Sequence, residues 1–189
     1  AFKNCKKIEK VIIPASVSSI SMDAFVGCTS LSDVVVDNNN EIYSNDEYGI
    51  LFNKDKTKLI QYPAGGTQTS YTIPDGVTNI DSNAFYGCTG LTSIAIPDSV
   101  SFFGEFVFSG CTNLKNIAIP EGVTNIEYSA FEGCASLTSV IIPNNVTRIG
   151  TSAFNGCKQL TEITIPKAIT EIGTEAFSEC EKLTNIKVQ

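Results

Sequence analysis

The 189-residue sequence has no histidine, no tryptophan and a single methionine. Without an imidazole there is no Ser-His-Asp or Cys-His pair, no imidazole metal ligand and no histidine pH switch. Arginine is nearly missing too, Arg148 being the only one, and 20 acidic residues outweigh 13 basic ones. Nucleic-acid recognition leans on arginine and on positive charge, so this balance argues against a nucleic-acid partner. No strictly apolar run exceeds a few residues, which excludes a membrane-spanning helix and membrane insertion through one. No basic segment followed by an apolar one marks a signal peptide within the sequence. Serine and threonine are abundant, yet none has a histidine or evident lysine partner, and no glycine-rich phosphate cradle is present. The expectation is a protein that is not an enzyme and carries no cofactor and no metal.

What is present is a repeat, and a repeat decides the fold. Leu114-Lys115-Asn116-Ile117-Ala118-Ile119-Pro120 recurs as Leu137 to Pro143 and again as Leu160 to Pro166, each 23 residues on. Leu91 to Pro97 fits the same register. So do Gln68 to Pro74 with a polar first residue, Leu31 to Asp37 without the proline, and Ile8 to Pro14 with isoleucine first. Leu183 to Gln189 begins a further copy. The second half repeats equally well: Val77 to Cys88, Val123 to Cys134 and Val146 to Cys157 match position by position. The consensus is L-T-x-I-x-I-P-x-x-V-T-x-I-x-x-x-A-F-x-G-C-x-x, with all seven cysteines in one column. The spacing breaks once, between Cys28 and Cys88, where one unit is 37 residues long.

Within the first half the apolar residues alternate, so Ile163 and Ile165 point one way and Glu162 and Thr164 the other, as in a strand. Proline ends the strand. The V-T-x-I stretch returns as extended chain, and A-F-x-G-C closes the coil with glycine at the tight bend. Each inward side chain stabilises by roughly 1.5–3 kcal/mol when buried, whereas ordering the backbone costs roughly 1–2 kcal/mol per residue. One coil cannot stand alone, and neighbours must stack on it. The expected fold is an α/β-type but mostly β right-handed solenoid, with a parallel sheet on one face and irregular or extended returns. Eight rungs at about 4.8 Å make a rod on the order of 40 Å long.

The recurrence of the whole motif, including Ala84-Phe85-Tyr86-Gly87-Cys88, resembles the BspA-like (Treponema-type) leucine-rich repeat family over essentially the whole chain. The resemblance implies a leucine-rich-repeat coil in a bacterial or parasitic-protist protein, extracellular or on the cell surface, that uses its repeats for adhesion and protein binding. The domain reading is a single solenoid over residues 1–189. The chain begins inside a repeat at Ala1-Phe2 and ends in a strand, and we expect it to belong to a longer polypeptide or to pair end to end with another molecule.

Residues 37–67 depart from the pattern. Tyr48 to Phe52 and Lys58 to Tyr62 read as strands about an Asn53-Lys54-Asp55-Lys56 turn, a β-hairpin projecting from the solenoid or capping part of it. A competing register places Thr57 to Pro63 on the L-T-x-I-x-I-P template. Insertions in repeat proteins carry function or are merely tolerated, and both readings stand here. Asp37, Glu41, Asp46 and Glu47 form its acidic segment, which lacks a calcium-loop pattern and reads as a solvated loop, with a weak cation site as the lesser alternative.

The cysteine column, next to phenylalanine in every coil, reads as a ladder of small buried residues. Neighbouring copies lie somewhat beyond disulfide reach, and a line of thiols does not converge on a metal. Contact with a partner is expected instead on the outward columns. The residue between the two core positions of each strand reads Ile12, Val35, Thr72, Ala95, Ala118, Ile141, Thr164, Lys187. Of these, Thr72, Ala95, Ala118, Ile141 and Thr164 form a flat, weakly polar strip suited to a protein or glycan. Phe102 and Phe106 occupy normally polar columns, and with Tyr128 and Tyr86 nearby they form a second candidate patch, for a partner or for self-association. Local repacking around Val107 is the alternative. The functional expectation is a protein- or glycan-binding repeat module; the alternative is a spacer that presents another domain.

Overall fold

The computed structural model describes residues 1–188; the last residue of the expected final copy, Gln189, lies outside them. The fold is a mostly β solenoid of about eight turns, with no helix among the described residues. Sixteen short strands follow in chain order. They are β1 Lys10–Ile13, β2 Asp33–Val36, β3 Tyr43–Asn45, β4 Leu51–Asn53, β5 Lys58–Gln61, β6 Ser70–Thr72, β7 Asn79–Ile80 and β8 Ser93–Ala95. The second half contributes β9 Phe102–Phe103, β10 Asn116–Ala118, β11 Asn125–Ile126, β12 Ser139–Ile141, β13 Arg148–Ile149, β14 Glu162–Ile165, β15 Glu171–Ile172 and β16 Asn185–Val188.

The I-x-I strands pair in parallel and in repeat register, so Ile117 faces Val140 and Tyr71 faces Ile94. The T-x-I returns are themselves paired in parallel, Ile80 with Phe103 and Ile126 with Ile149. The coil is therefore a two-sided stack closed by the A-F-x-G-C loop. Three backbone bonds tie that loop to the next one. Asn83 N–H donates to Glu105 C=O at 2.9 Å, Phe85 to Val107 at 2.9 Å and Gly87 to Ser109 at 2.8 Å, and the same three positions pair at each later interface. Their geometry needs left-handed backbone twice per loop. One site is the glycine column (Gly87, Gly110, Gly133 and Gly156, φ 69–74°), and the other is the residue before A-F (Asn83, Phe106, Ser129, Ser152 and Glu175, φ 50–62°). Glycine, asparagine and serine tolerate that region; phenylalanine does so at a cost.

Two ladders run along the core. Phe85, Phe108, Phe131, Phe154 and Phe177 stack with ring centroids 5.1–5.3 Å apart, and Tyr62 takes the phenylalanine place ahead of Phe85 at 5.2 Å. Beside it the thiols of Cys28, Cys111, Cys134, Cys157 and Cys180 donate to the carbonyl of a phenylalanine one coil back, and Cys88 lies 3.9 Å from that of Tyr62. Cys111 reaches Phe85 at 3.1 Å, Cys134 reaches Phe108 at 3.2 Å and Cys157 reaches Phe131 at 3.3 Å. All seven cysteines are free thiols. Burial pushes the Cys88, Cys134 and Cys157 thiols up from the ordinary range, which keeps them protonated and able to donate.

The irregular unit does not project. It is built into the return side, where one sheet runs β3-β4-β5-β7-β9. Strands β3 and β5 serve as the returns of two successive coils. Strand β4 lies between them, antiparallel to both. Thr57 to Pro63 accordingly supplies a return, with Leu59 level with Ile80, and not a strand of the I-x-I face. Strand β4 and the residue before it are buried on both faces. Ile50 and Phe52 join the large core, and Leu51 joins a separate smaller core around Phe25, Leu31 and Val34. Asn40 stands in the valine column of the other coils and is fully buried. Its Nδ2 donates to the carbonyls of Pro14 (2.9 Å) and Val17 (3.0 Å), and its Oδ1 accepts from the N–H groups of Ile42 (2.9 Å) and Tyr43 (2.8 Å).

Two predictions follow from these contacts. Asn40→Val, although valine fills this column elsewhere, strands four backbone groups, the buried Tyr43 N–H among them, and lowers unfolding stability by about 2–4 kcal/mol, read from urea denaturation. Thiol titration at pH 8 labels Cys5 quickly, the half-buried Cys180 slowly and the other five only after unfolding. Because the buried thiols titrate higher in the folded chain than in the unfolded one, their contribution to stability is complete below about pH 8.5 and declines as pH rises further. A urea midpoint that stayed level from pH 8 to pH 10.5 would contradict the thiol assignment.

Candidate functional site

The outward strip is carried on strands whose intervening residues are locked into the core. On β6, β8, β10 and β12 the residues Tyr71, Ile94, Ile117 and Val140 are buried, so Thr72, Ala95, Ala118 and Ile141 stand outward and exposed. Ile141 is 72% exposed, and Ile12 on β1 is 68% exposed. Thr164 on β14 is half-buried.

The face is not one continuous sheet. It divides into β1-β2, β6-β8-β10-β12 and β14-β16. The first division is where the irregular unit crosses: Gly49 C=O accepts from Val34 N–H at 3.2 Å, and Asn45 Oδ1 accepts from Val36 N–H at 2.8 Å, capping the edge of β2. The second is a groove of about 250 Å³ between Ser139–Ile142 and Glu162–Thr164. Ile141 and Thr164 therefore flank a recess and not a paired rung. Charges sit toward the ends of the face and are paired across coils, Lys10 with Asp33 and Lys187 with Glu162, each within 2.8 Å. The middle carries no ion pair among the described residues.

The crossing segment also brings up Tyr48, which the repeat pattern did not single out. It is 46% exposed and shares a shallow recess with Gln68, Ser70 and Thr72. Its ring meets Tyr71 edge-on at 6.3 Å, and Tyr71 donates its hydroxyl to Asp46 Oδ2 at 3.2 Å. Burial, with the Asp46 carboxylate beside it, raises the Tyr71 phenol, which stays a donor across the physiological range. The acidic segment thus has a structural use for Asp46. Asp37 Oδ1 accepts from the Asn39 N–H in a local turn. The signal for Tyr48 was an aromatic residue next to glycine in an insertion, which sequence alone does not assign to a face.

The second patch divides. Phe106 and Tyr128 meet edge-on at 5.0 Å on the closing-loop edge. Phe102 lies on the return side, on β9 level with Asn79, 44% exposed and with no aromatic neighbour among the described residues. Phe106 is half-buried, and Tyr86 shares a cleft with it. Val107 fills the alanine column fully buried, with Phe108 in its ordinary ladder place.

Comparison with known proteins places these features in context. The BspA type leucine rich repeat region matches residues 1–64 and 64–184, in six copies. No curated protein matches the chain. Among solved structures, a leucine rich cell surface protein from Faecalibacterium prausnitzii is 36% identical with a TM-score of 0.90, over 96% of this chain and 48% of its own. The pneumococcal vaccine antigen PcpA is 30% identical with a TM-score of 0.85, over 96% of this chain and 45% of its own. A leucine rich repeat protein of T. pallidum is 29% identical with a TM-score of 0.64, over 79% of this chain and 70% of its own. The chain therefore spans about half the length of the first two. With its 23-residue coil, its phenylalanine and cysteine columns and a family match across nearly all of its length, the chain belongs to the BspA-type leucine-rich-repeat family.

Proposed function

We propose that the chain is a non-enzymatic, adhesin-like binding module of a bacterial cell-surface or secreted protein, which engages a protein or glycan through its I-x-I face. The observation that carries this reading is the exposed strip itself. Ile141 stands largely free of its neighbours at the rim of a recess whose opposite wall carries the Glu162–Lys187 pair. Alanine and threonine fill this position in the coils on either side, so the strand does not require so large an aliphatic group there, beyond the general preference of strands for β-branched residues. Set on a flat, preorganised sheet, Ile141 costs little entropy to bury against a partner. Two solved neighbours, a cell surface protein and a vaccine antigen, support the location. A second reading, a spacer for other parts of a longer polypeptide, is favoured by the fact that the chain spans under half of those two proteins.

The two readings separate in one experiment. The intact chain and an Ile141→Glu, Thr164→Lys variant are screened against immobilised extracellular-matrix proteins and a glycan array. A binding module captures at least one ligand and loses affinity at least tenfold in the variant, which keeps its thermal midpoint because both side chains lie on the outward column. A spacer captures none.

A further inference from the structure

The irregular unit thickens the solenoid on two of its three sides. On the return side it inserts β4 between β3 and β5. On the I-x-I side it inserts the crossing segment around Asp46–Ile50 between β2 and β6. On the closing-loop side it inserts nothing: the loop of Phe25 is followed directly by the loop of Tyr62. That loop is also short, because only two residues separate Leu59 from Tyr62 where four separate Ile80 from Phe85. One rung, about 4.8 Å of stacking, is left unfilled along this edge.

The backbone records the omission. Every regular loop donates from three positions to the loop above it, but the N–H groups of Asp23, Phe25 and Gly27, which hold those positions in the sequence, have no partner among the described residues, and Asp23 alone in its column is not left-handed. Across the gap, Ala84 C=O accepts from Tyr62 N–H at 2.7 Å, while the carbonyls of Ser82 and Tyr86, which occupy the flanking acceptor positions of the ladder, accept from nothing among the described residues. A cleft of about 320 Å³ opens here. Asp23, Val26 and Asn4 form one wall, Asn83 and Tyr86 the other, with Phe106 and Lys3 at the rims. Gln61 and Tyr62 are buried beneath it. Phe106, the one aromatic residue held left-handed (φ 56°) in a column where other coils have asparagine, serine or glutamate, sits on this rim. Strain of that kind persists where the side chain has a use.

We infer that this cleft docks an extended peptide segment of a partner protein, whose main chain supplies the missing rung. The loop behind one wall carries the free donors and the loop behind the other the free acceptors, Asp23 and Tyr86 being the ones that line the cleft itself. A peptide answers both, since its C=O and N–H groups alternate along one strand, as in strand addition to a sheet edge. Tyr86 and Phe106 offer an apolar shelf for one of its side chains. The inference rests on the binding-module reading and assigns it a second contact site, away from the Ile141 face.

The test uses the full chain and a phage-displayed heptapeptide library. Enriched peptides are synthesised and titrated into the ¹⁵N-labelled protein. Bound peptide should slow hydrogen exchange at the Asp23, Phe25 and Gly27 amides and leave Ile141 unshifted. Phe106→Ser, Tyr86→Ala should weaken binding at least tenfold, and main-chain N-methylation of the peptide should do the same. The Phe106→Ser change is compatible with folding, because Ser129 and Ser152 fill the same column. Failure to enrich any peptide overturns the inference. So do peptides that bind the variant as well as the parent, or unchanged exchange at the three amides. Peptides that map to Ile141 overturn the cleft alone and leave the binding-module reading standing. Loss of glycan or matrix-protein capture in the Ile141→Glu, Thr164→Lys variant is read independently.

Discussion

Each regular closing loop directs three N–H groups along the axis of the solenoid, where the loop of the next coil satisfies them. The thiols of Cys28, Cys111, Cys134, Cys157 and Cys180 point the opposite way, to a carbonyl one coil back. Together these bonds make a coil incomplete in both directions, so that its own hydrophobic interior, too small to offset the cost of ordering its backbone, is supplemented by neighbours of the same shape. They also fix the period. A unit with a residue added between phenylalanine and cysteine would move the thiol off its carbonyl and the glycine off the only backbone region that closes the turn. The stacking of Phe131 on Phe154, with rings within 4° of parallel, follows from that repetition and is not an independent choice.

The irregular unit shows what the constraint permits. Extra chain is accommodated where it can enter as a rung, and β4 does so by taking both edges of its neighbours and burying both of its faces. Where the inserted layer has no apolar side chain to offer, polar groups replace it in hydrogen-bonded form. Asn40 completes four backbone bonds in a column made for valine, and the buried Gln61 donates to the carbonyl of Tyr62 at 2.8 Å. Neither residue is an ordinary core choice. Asn40 works because both of its amide atoms are bonded, and the Gln61 Nε2 has the carbonyls of Tyr62 and Ala84 as acceptors. The loop edge received no such rung, and the result is a break in an otherwise regular hydrogen-bond ladder.

The features legible in the sequence are those that repeat. The period, the strand face, the phenylalanine and cysteine columns and the hairpin turn at Asn53–Lys56 all follow from which residues recur and at what spacing. The features that were not legible depend on which of three sides a residue faces, or on what an exceptional residue does. Phe102 and Phe106 are four positions apart, and both replace polar residues, yet a corner of the coil lies between them and sends one to the return side and the other to the loop edge. Thr57 to Pro63 matches the strand template in composition, but its pairing is decided by β4, a neighbour that the repeat does not contain. The thiol column read as packing alone because a weak donor leaves no spacing signature of its own; the aligned carbonyls are visible only in three dimensions.

A solenoid with an interior this uniform separates folding from recognition. Inward columns are answerable to the coils above and below, so a change in one is felt by its neighbours along the ladder. Outward columns answer to nothing inside the molecule, and Thr72, Ala95, Ala118 and Ile141 differ in size and polarity without disturbing the pairing of their strands. A departure from the consensus at an outward position therefore carries no information about the fold, whereas a departure that strains the backbone, as at Phe106, works against it. Both kinds of departure gather at places where the regular pairing is interrupted, the seam beside Ile141 and the gap beside Phe106. An interruption leaves a recess with unpaired backbone or exposed apolar surface, and in a molecule whose regular surface is flat these recesses are where shape and chemistry can distinguish one partner from another.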